Sequence, residues 1–150
     1  MGLRRQAREA ALQILYLADI ARLPGEVAAR IIWAGSEAPP RTKAFGDTLA
    51  KGTLTHRSLL DQLIAKYAEN WEIGRMAAID RNVLRLAAFE LLNELDTPVS
   101  VVIDEAVEIA KTYSTQDSGK FVNGILDKIK AERPAAPPAP PREGQRELFG

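Results

Sequence analysis

The sequence predicts an all-α fold, and three observations carry that prediction. Apolar residues recur at helical spacing along most of the chain, and no convincing stretch alternates apolar and polar residues between turn signals as a strand would. The segment over residues 77–92 is apolar on nearly every side of a helical wheel. Such a helix must be wrapped by others, so it marks the centre of the domain.

Taken in order, the first helix covers residues 4–20 and stops near Leu23-Pro24-Gly25. At about 100° per residue, Leu3, Ala7, Ala10, Ala11, Ile14, Leu17 and Ala18 share its core-facing side. Arg4, Arg5 and Arg8 fall on a flank shared with Leu12 and Tyr16. A second helix covers residues 25–34 and ends in Gly35-Ser36, before a Pro39-Pro40 break. The third stretch, residues 42–68, has Leu49, Leu59, Leu60, Leu63, Ile64 and Tyr67 as apolar positions and a weak point at Gly52, where it kinks.

The central helix follows, with Ile79, Val83, Leu84, Leu86, Phe89, Leu91 and Leu92 spread round the wheel. Thr97 and Pro98 read as the cap and first position of a helix running to Thr112. Asp117 or Ser118 caps the last helix, which carries Phe121, Val122, Ile125, Leu126 and Ile129 and is limited by Pro134. From Pro134 the chain reads PAAPPAPP and then stays mostly polar to Gly150, a composition with too little apolar content to pack. The organisation is thus one domain over residues 1–133 and a disordered tail over 134–150, in which Leu148 and Phe149 read as an unpacked terminus.

A chain of 150 residues can support a core without staples, since a domain of that size buries roughly 68–70% of its unfolded surface. It has no cysteine, which excludes disulfides, thiolate metal sites and cysteine nucleophiles and suits a reducing compartment. The start, Met1-Gly2-Leu3-Arg4-Arg5, lacks the apolar run of a signal peptide, and no window approaches the ~18 apolar residues of a membrane span. The expected location is the cytoplasm. The formal charge of zero argues against coating nucleic acid by bulk attraction, so any nucleic-acid site must be local.

That directs attention to Arg4, Arg5 and Arg8, where guanidinium groups able to fork onto phosphates sit beside an aromatic ring, a mixture suited to RNA. On composition alone a solvated basic helix start is the simpler account. Three phosphate contacts on single-stranded RNA give a salt slope of roughly −2, too little for tight binding. Other positions, or a second protein, must contribute.

Sites for chemistry fail inspection. Asp104, Glu105 and Glu108 form the densest acidic cluster, but the one histidine, His56, lies in a different predicted helix and reads as a partly exposed helix residue. Glu108 is within reach of Lys111 at i,i+3, as on an ordinary helix surface. There is no phosphate-binding glycine loop, no zinc spacing and no Ser/His/Asp set, so neither an enzyme nor a cofactor is expected. Trp33 and Trp71 offer candidate stacking platforms but read first as packing residues, and Arg81 and Arg85 as ion-pairing residues between helices.

Three stretches together carry a resemblance. They are RRQAREAALQILY over Arg4 to Tyr16, DRNVLRLAAFEL over Asp80 to Leu91, and PVSVVIDEAVEIAKTYSTQDSGKFVNGILDKI near the C-terminal end. The chain resembles the NusB family of transcription antitermination factors over about residues 3–130. The resemblance implies two three-helix bundles, no catalytic activity, and an arginine-rich start that binds the boxA element of nascent RNA. It also implies a partner, the ribosomal protein NusE, and a larger complex on RNA polymerase that suppresses termination, notably on ribosomal RNA operons.

Carried over by position, Arg4, Arg5 and Arg8 match the arginine motif, Lys120, Phe121 and Asn123 match the Lys-Phe-Val-Asn-Gly signature, and Asp117 matches an acidic position beside it. Tyr16 and Asp80 match positions associated with the protein partner. The arginine motif is interrupted by Gln6, and Gly119 occupies a variable position within the signature. Some relatives self-associate through the RNA-binding face, which leaves a homodimer open. Two other readings stand beside this one: a stand-alone relative of the RNA-binding module of RNA cytosine-5 methyltransferases, with no room for the catalytic domain, and a helical scaffold whose arginine face meets an acidic protein.

Overall fold

The computed structural model describes residues 2–135. Met1 and residues 136–150, which hold most of the expected tail together with Leu148 and Phe149, lie outside the described residues. The helices are α1 (Leu3–Ala21), α2 (Gly25–Ala34), α3 (Pro40–Thr55), α4 (Arg57–Tyr67), α5 (Ala78–Asn93), α6 (Val99–Tyr113) and α7 (Gln116–Ile129). Short 3-10 turns cover Ile73–Arg75 and Lys130–Glu132, and no strand occurs among the described residues. The all-α class holds.

Helices α1, α2 and α3 pack on one another, as do α5, α6 and α7, with α4 against α5 and α7. The central helix joins the two groups: α5 touches α1 and α3 as well as α4, α6 and α7. This explains its all-round apolarity, for every residue from Asn82 to Leu91 is buried. Among them Leu84 and Leu91 are fully enclosed, each worth roughly 1.5–3 kcal/mol against exposure. No helix of the described residues is long and apolar enough to cross a membrane.

Four local readings change. The buried face of α1 is wider than one stripe: Leu12 and Leu15 are enclosed, while Leu3 is exposed and Ala10 and Leu17 are half-buried. The cause is that α1 packs against α2, α3 and α5 together, so its buried sector turns towards all three.

The long third stretch divides at His56, not at Gly52. His56 leaves the helical well at φ −103 and ψ 16, its Nδ1 lies 2.8 Å from the Gly52 carbonyl, and its ring stacks on Phe89 at 5.9 Å. It is an exposed junction residue and not part of either helix. Gly52 stays helical, and Phe89 occupies the space where a side chain would stand. Glycine serves close approach here, not flexibility.

Thr115, and neither Asp117 nor Ser118, caps α7: its hydroxyl accepts from the Ser118 amide at 3.1 Å. At α6, Pro98 takes the cap position and Val99 begins the helix, one residue later than expected, and Thr97 makes no side-chain cap.

Gly52→Ala should therefore destabilise the domain. Overpacking against Phe89 costs about 1–3 kcal/mol, offset by about 1 kcal/mol of helix propensity. The measurement is the urea midpoint, and pairing the change with Phe89→Leu should recover part of the loss because the two positions are in contact.

Candidate nucleic-acid interface

The three arginines of α1 have three different environments. Arg4 is exposed, makes no ion pair among the described residues, and holds its guanidinium 4.2 Å from the centre of the Phe45 ring. Arg5 is partly buried and donates to Glu105, a bond that raises its pKa above the ordinary guanidinium value. Arg8 is 4% exposed. Its Nε and Nη2 donate to the two oxygens of Glu90 at 2.9 and 2.6 Å, and Glu90 is itself 1% exposed.

The expectation that Arg8 meets RNA is corrected by this geometry. Its charge is neutralised inside the protein by Glu90, and its Nη1 also lies 3.6 Å from Glu105. The wheel could not show this, because the partner carboxylate is 82 residues downstream. A charged residue inside the apolar run of α5 was the one available signal that a buried cation must meet it.

The start of α1 is electropositive apart from its side chains. Gly2 provides no side-chain cap and the first turn carries no acidic residue. The free amides and the macrodipole therefore add to Arg4 and Arg5, a combination that favours anions.

Helix α6 runs beside α1 in the same direction. Arg5 meets Glu105 and the Gln13 amide donates to the Tyr113 hydroxyl at 3.3 Å, two contacts with the same 100-residue offset. About 12 Å of α1 separates those contacts at 1.5 Å per residue. The turn from α6 into α7 thus falls beside the middle of α1. Ser114, Thr115 and Ser118 hydrogen-bond one another there. Gly119 gives room for the Lys111 stem, whose Cγ would lie 2.8 Å from a Cβ at that position. Lys111 in turn reaches Glu108 at 3.5 Å, the surface pair read from the spacing.

On α7, Asp117, Lys120 and Asn123 are exposed and Phe121 is half-buried. Phe121 stands edge-on to Trp71, with ring centres 5.6 Å apart and planes at 73°. The reading of both tryptophans as packing residues is half right. Trp33 is 7% exposed and donates to Asp47 at 2.7 Å, but Trp71 is 57% exposed. It sits in the α4–α5 connection, two residues after Glu69 at φ 27, where no periodicity could have placed it.

Trp71, Asp80, Asp117 and Phe121 line one hollow of ≈330 Å³, and Trp71, Phe121, Lys120 and Lys128 line another of ≈310 Å³. Asp80, matched to a protein partner, thus shares a hollow with two residues matched to RNA, and its Oδ1 is buried without a hydrogen-bond partner. The predicted residues form two groups, Arg4 and Arg5 at the start of α1 and Asp117, Lys120 and Phe121 at the start of α7, linked along the α1–α6 seam. A larger hollow of ≈660 Å³ between α2 and α3, lined in part by Trp33, Lys43 and Leu54, holds none of them.

Tyr16 is exposed on α1, one turn before Asp19. Burial pushes the Asp19 carboxyl up, but hydrogen bonds from Arg81 at 2.7 Å and Asn82 at 2.9 Å, with the charges of Arg81 and Arg85, outweigh it and hold the group at about 2. Arg85 also forks onto Asp61 at 2.7 and 3.1 Å. Both arginines order the packing through ion pairs, as read. Among the described residues no group of three or more His, Asp or Glu is placed to hold a metal ion.

Comparison with known proteins gives one consistent answer. The model of the NusB family matches residues 5–131. The transcription antitermination protein NusB of Desulfitobacterium hafniense (strain DSM 10664 / DCB-2) is 46% identical over 128 residues, covering 84% of this chain and 86% of that protein. A solved structure of T. maritima NusB is 42% identical with a TM-score of 0.81, covering 87% of this chain and 92% of that one. A crystal structure of antitermination factors NusB and NusE in complex with dsRNA is similar at 26% identity and a TM-score of 0.79, over 87% of this chain and 97% of that one.

Proposed function

The chain belongs to the NusB family, and from that premise we propose that it is an RNA-binding transcription antitermination factor with no catalytic step of its own. With the ribosomal protein NusE it binds boxA RNA of nascent ribosomal RNA transcripts in the cytoplasm. The pair joins a complex on RNA polymerase and helps the enzyme resist termination.

The observation that carries this reading is the start of α1, where the unpaired Arg4 guanidinium, the half-exposed Arg5 and an uncapped helix end point one positive surface at solvent. Arg4 and Arg5 take phosphates, while Arg8 positions the helix from beneath through Glu90. Lys120 meets a further phosphate and Asn123 hydrogen-bonds a base or ribose, with Phe121 and Asp117 beside them. Tyr16 and Asp80 face the protein partner. So few cations give modest affinity alone, and a partner that adds its own RNA contacts raises it without any change in this chain.

Arg4→Glu combined with Arg5→Glu should lower affinity for a boxA-like RNA at least tenfold and reduce the salt slope by roughly 1.4, while helicity and NusE binding persist. Fluorescence anisotropy of labelled boxA-like and scrambled RNA, with and without NusE, measures this. Unchanged affinity in the double variant would sink the RNA assignment. Equal affinity for both RNAs under every condition would leave the helical scaffold.

A further inference from the structure

Resting on the RNA reading above, we propose that the Trp71–Phe121 pair is a stacking subsite for one unpaired nucleobase of the bound RNA, with Trp71 as its platform. Trp71 belongs to none of the residues that the family signature supplied. Four observations converge on it.

The indole is 57% exposed although a domain of this size has ample core to hide it. Phe121 braces the ring in a T-shaped contact, with centres 5.6 Å apart and planes at 73°, while more than half of the indole stays open to solvent. The segment that presents it turns through Glu69 at φ 27, a conformation that a glutamate adopts at a cost, and the residues that follow, Asn70 to Glu72, are exposed.

Charge supplies the fourth and most specific observation. The pair forms a ridge between two hollows of opposite character. On one side stand Lys120 and Lys128, with Glu69 at the edge; on the other stand Asp80 and Asp117, with Arg75 already engaged by Glu72 at 3.5 Å. A nucleotide has the same division: an anionic phosphate, a flat ring, and an edge that bears N–H donors. Seated on Trp71, its phosphate meets the lysines and its N–H edge turns to the exposed Asp117 carboxylate, which accepts such donors and repels phosphate. A protein hot spot would also use tryptophan, but it would not require a basic and an acidic hollow one ring apart.

An unpaired base can reach such a platform, and a base inside a duplex cannot. The experiment uses the full chain and its own fluorescence, since the sequence has two tryptophans and Trp33 is 7% exposed. A single-stranded boxA-like RNA should quench the emission, the same RNA annealed to its complement should leave it nearly unchanged, and Trp71→Phe should lose the quench. In anisotropy, Trp71→Ala should weaken single-strand binding about 5- to 150-fold with the salt slope unaltered, and Trp71→Phe should retain most of the affinity.

RNA binding seen by anisotropy with no change in Trp71 emission would overturn the stacking subsite and leave the RNA reading intact. No anisotropy change with any RNA, with or without NusE, would overturn both. An emission shift on adding NusE alone, and none on adding RNA, would make Trp71 a protein contact and overturn the proposal.

Discussion

Arg8→Ala should lower the unfolding free energy by about 3–5 kcal/mol, the largest loss expected from any single arginine in this chain. The cost is not that of the contact itself. Removing the guanidinium strands Glu90, 1% exposed, as an uncompensated carboxylate in the interior. The space beside the pair is ≈10 Å³, about the least that one water needs, so solvent has little room to take the lost partner's place. Urea unfolding followed by circular dichroism measures the loss.

The companion variant separates burial from function. Arg8→Met with Glu90→Leu removes both charges and should return stability to within about 1–2 kcal/mol of the parent, because well-packed apolar replacements for a buried pair are often neutral or better. That double variant should also bind boxA-like RNA at close to parental affinity, since Arg8 donates inward. A loss of RNA binding equal to that of the Arg4 and Arg5 reversal would restore Arg8 to the RNA surface.

The second large effect belongs to Arg85, at the other end of the α1–α5 contact. Its guanidinium touches Asp61, Asp19 and Asn82, so Arg85→Leu leaves two carboxylates short of a cation and should cost about 3 kcal/mol. The acid limb of stability reports the same network. Asp19 titrates at about 2 in the folded protein against 3.8 ordinarily, so its contribution is fully present above pH 3.8 and is lost as pH falls through that window towards 2. With screening by solvent the contribution is on the order of 1–2 kcal/mol. In Arg85→Leu the Asp19 carboxyl should move back towards 3.8, and acid unfolding should begin at higher pH. Fluorescence-monitored acid titration of both proteins would show the shift, and superimposable curves would remove Arg85 from the network.

The contrast between α2 and the arginines shows what a single sequence reveals. The bounds of α2 were legible because Pro24-Gly25 and Gly35-Ser36 punctuate it locally. The central place of α5 was legible because burial on all sides leaves an all-round apolar pattern. Gly52 misled, since glycine for close approach and glycine for flexibility look alike until Phe89 is seen against it. The same holds at the site. Arg4, Arg5 and Arg8 are equivalent on a wheel, and only Glu90 on α5 and Glu105 on α6 divide them into one buried, one partly buried and one exposed. The exposure of Trp71 was illegible because it lies in a connection, where no period exists to be read.

The 100-residue offset between α1 and α6 also bears on how the chain is made. Arg8 finds Glu90 only 82 residues after it has been joined, and Gln13 waits for Tyr113. At roughly 5–20 residues per second, synthesis leaves the basic helix without its acidic partners for several seconds. Until Glu90 has been made, Arg8 is as open a cation as Arg4, and closure of the fold withdraws it while leaving Arg4 at the surface.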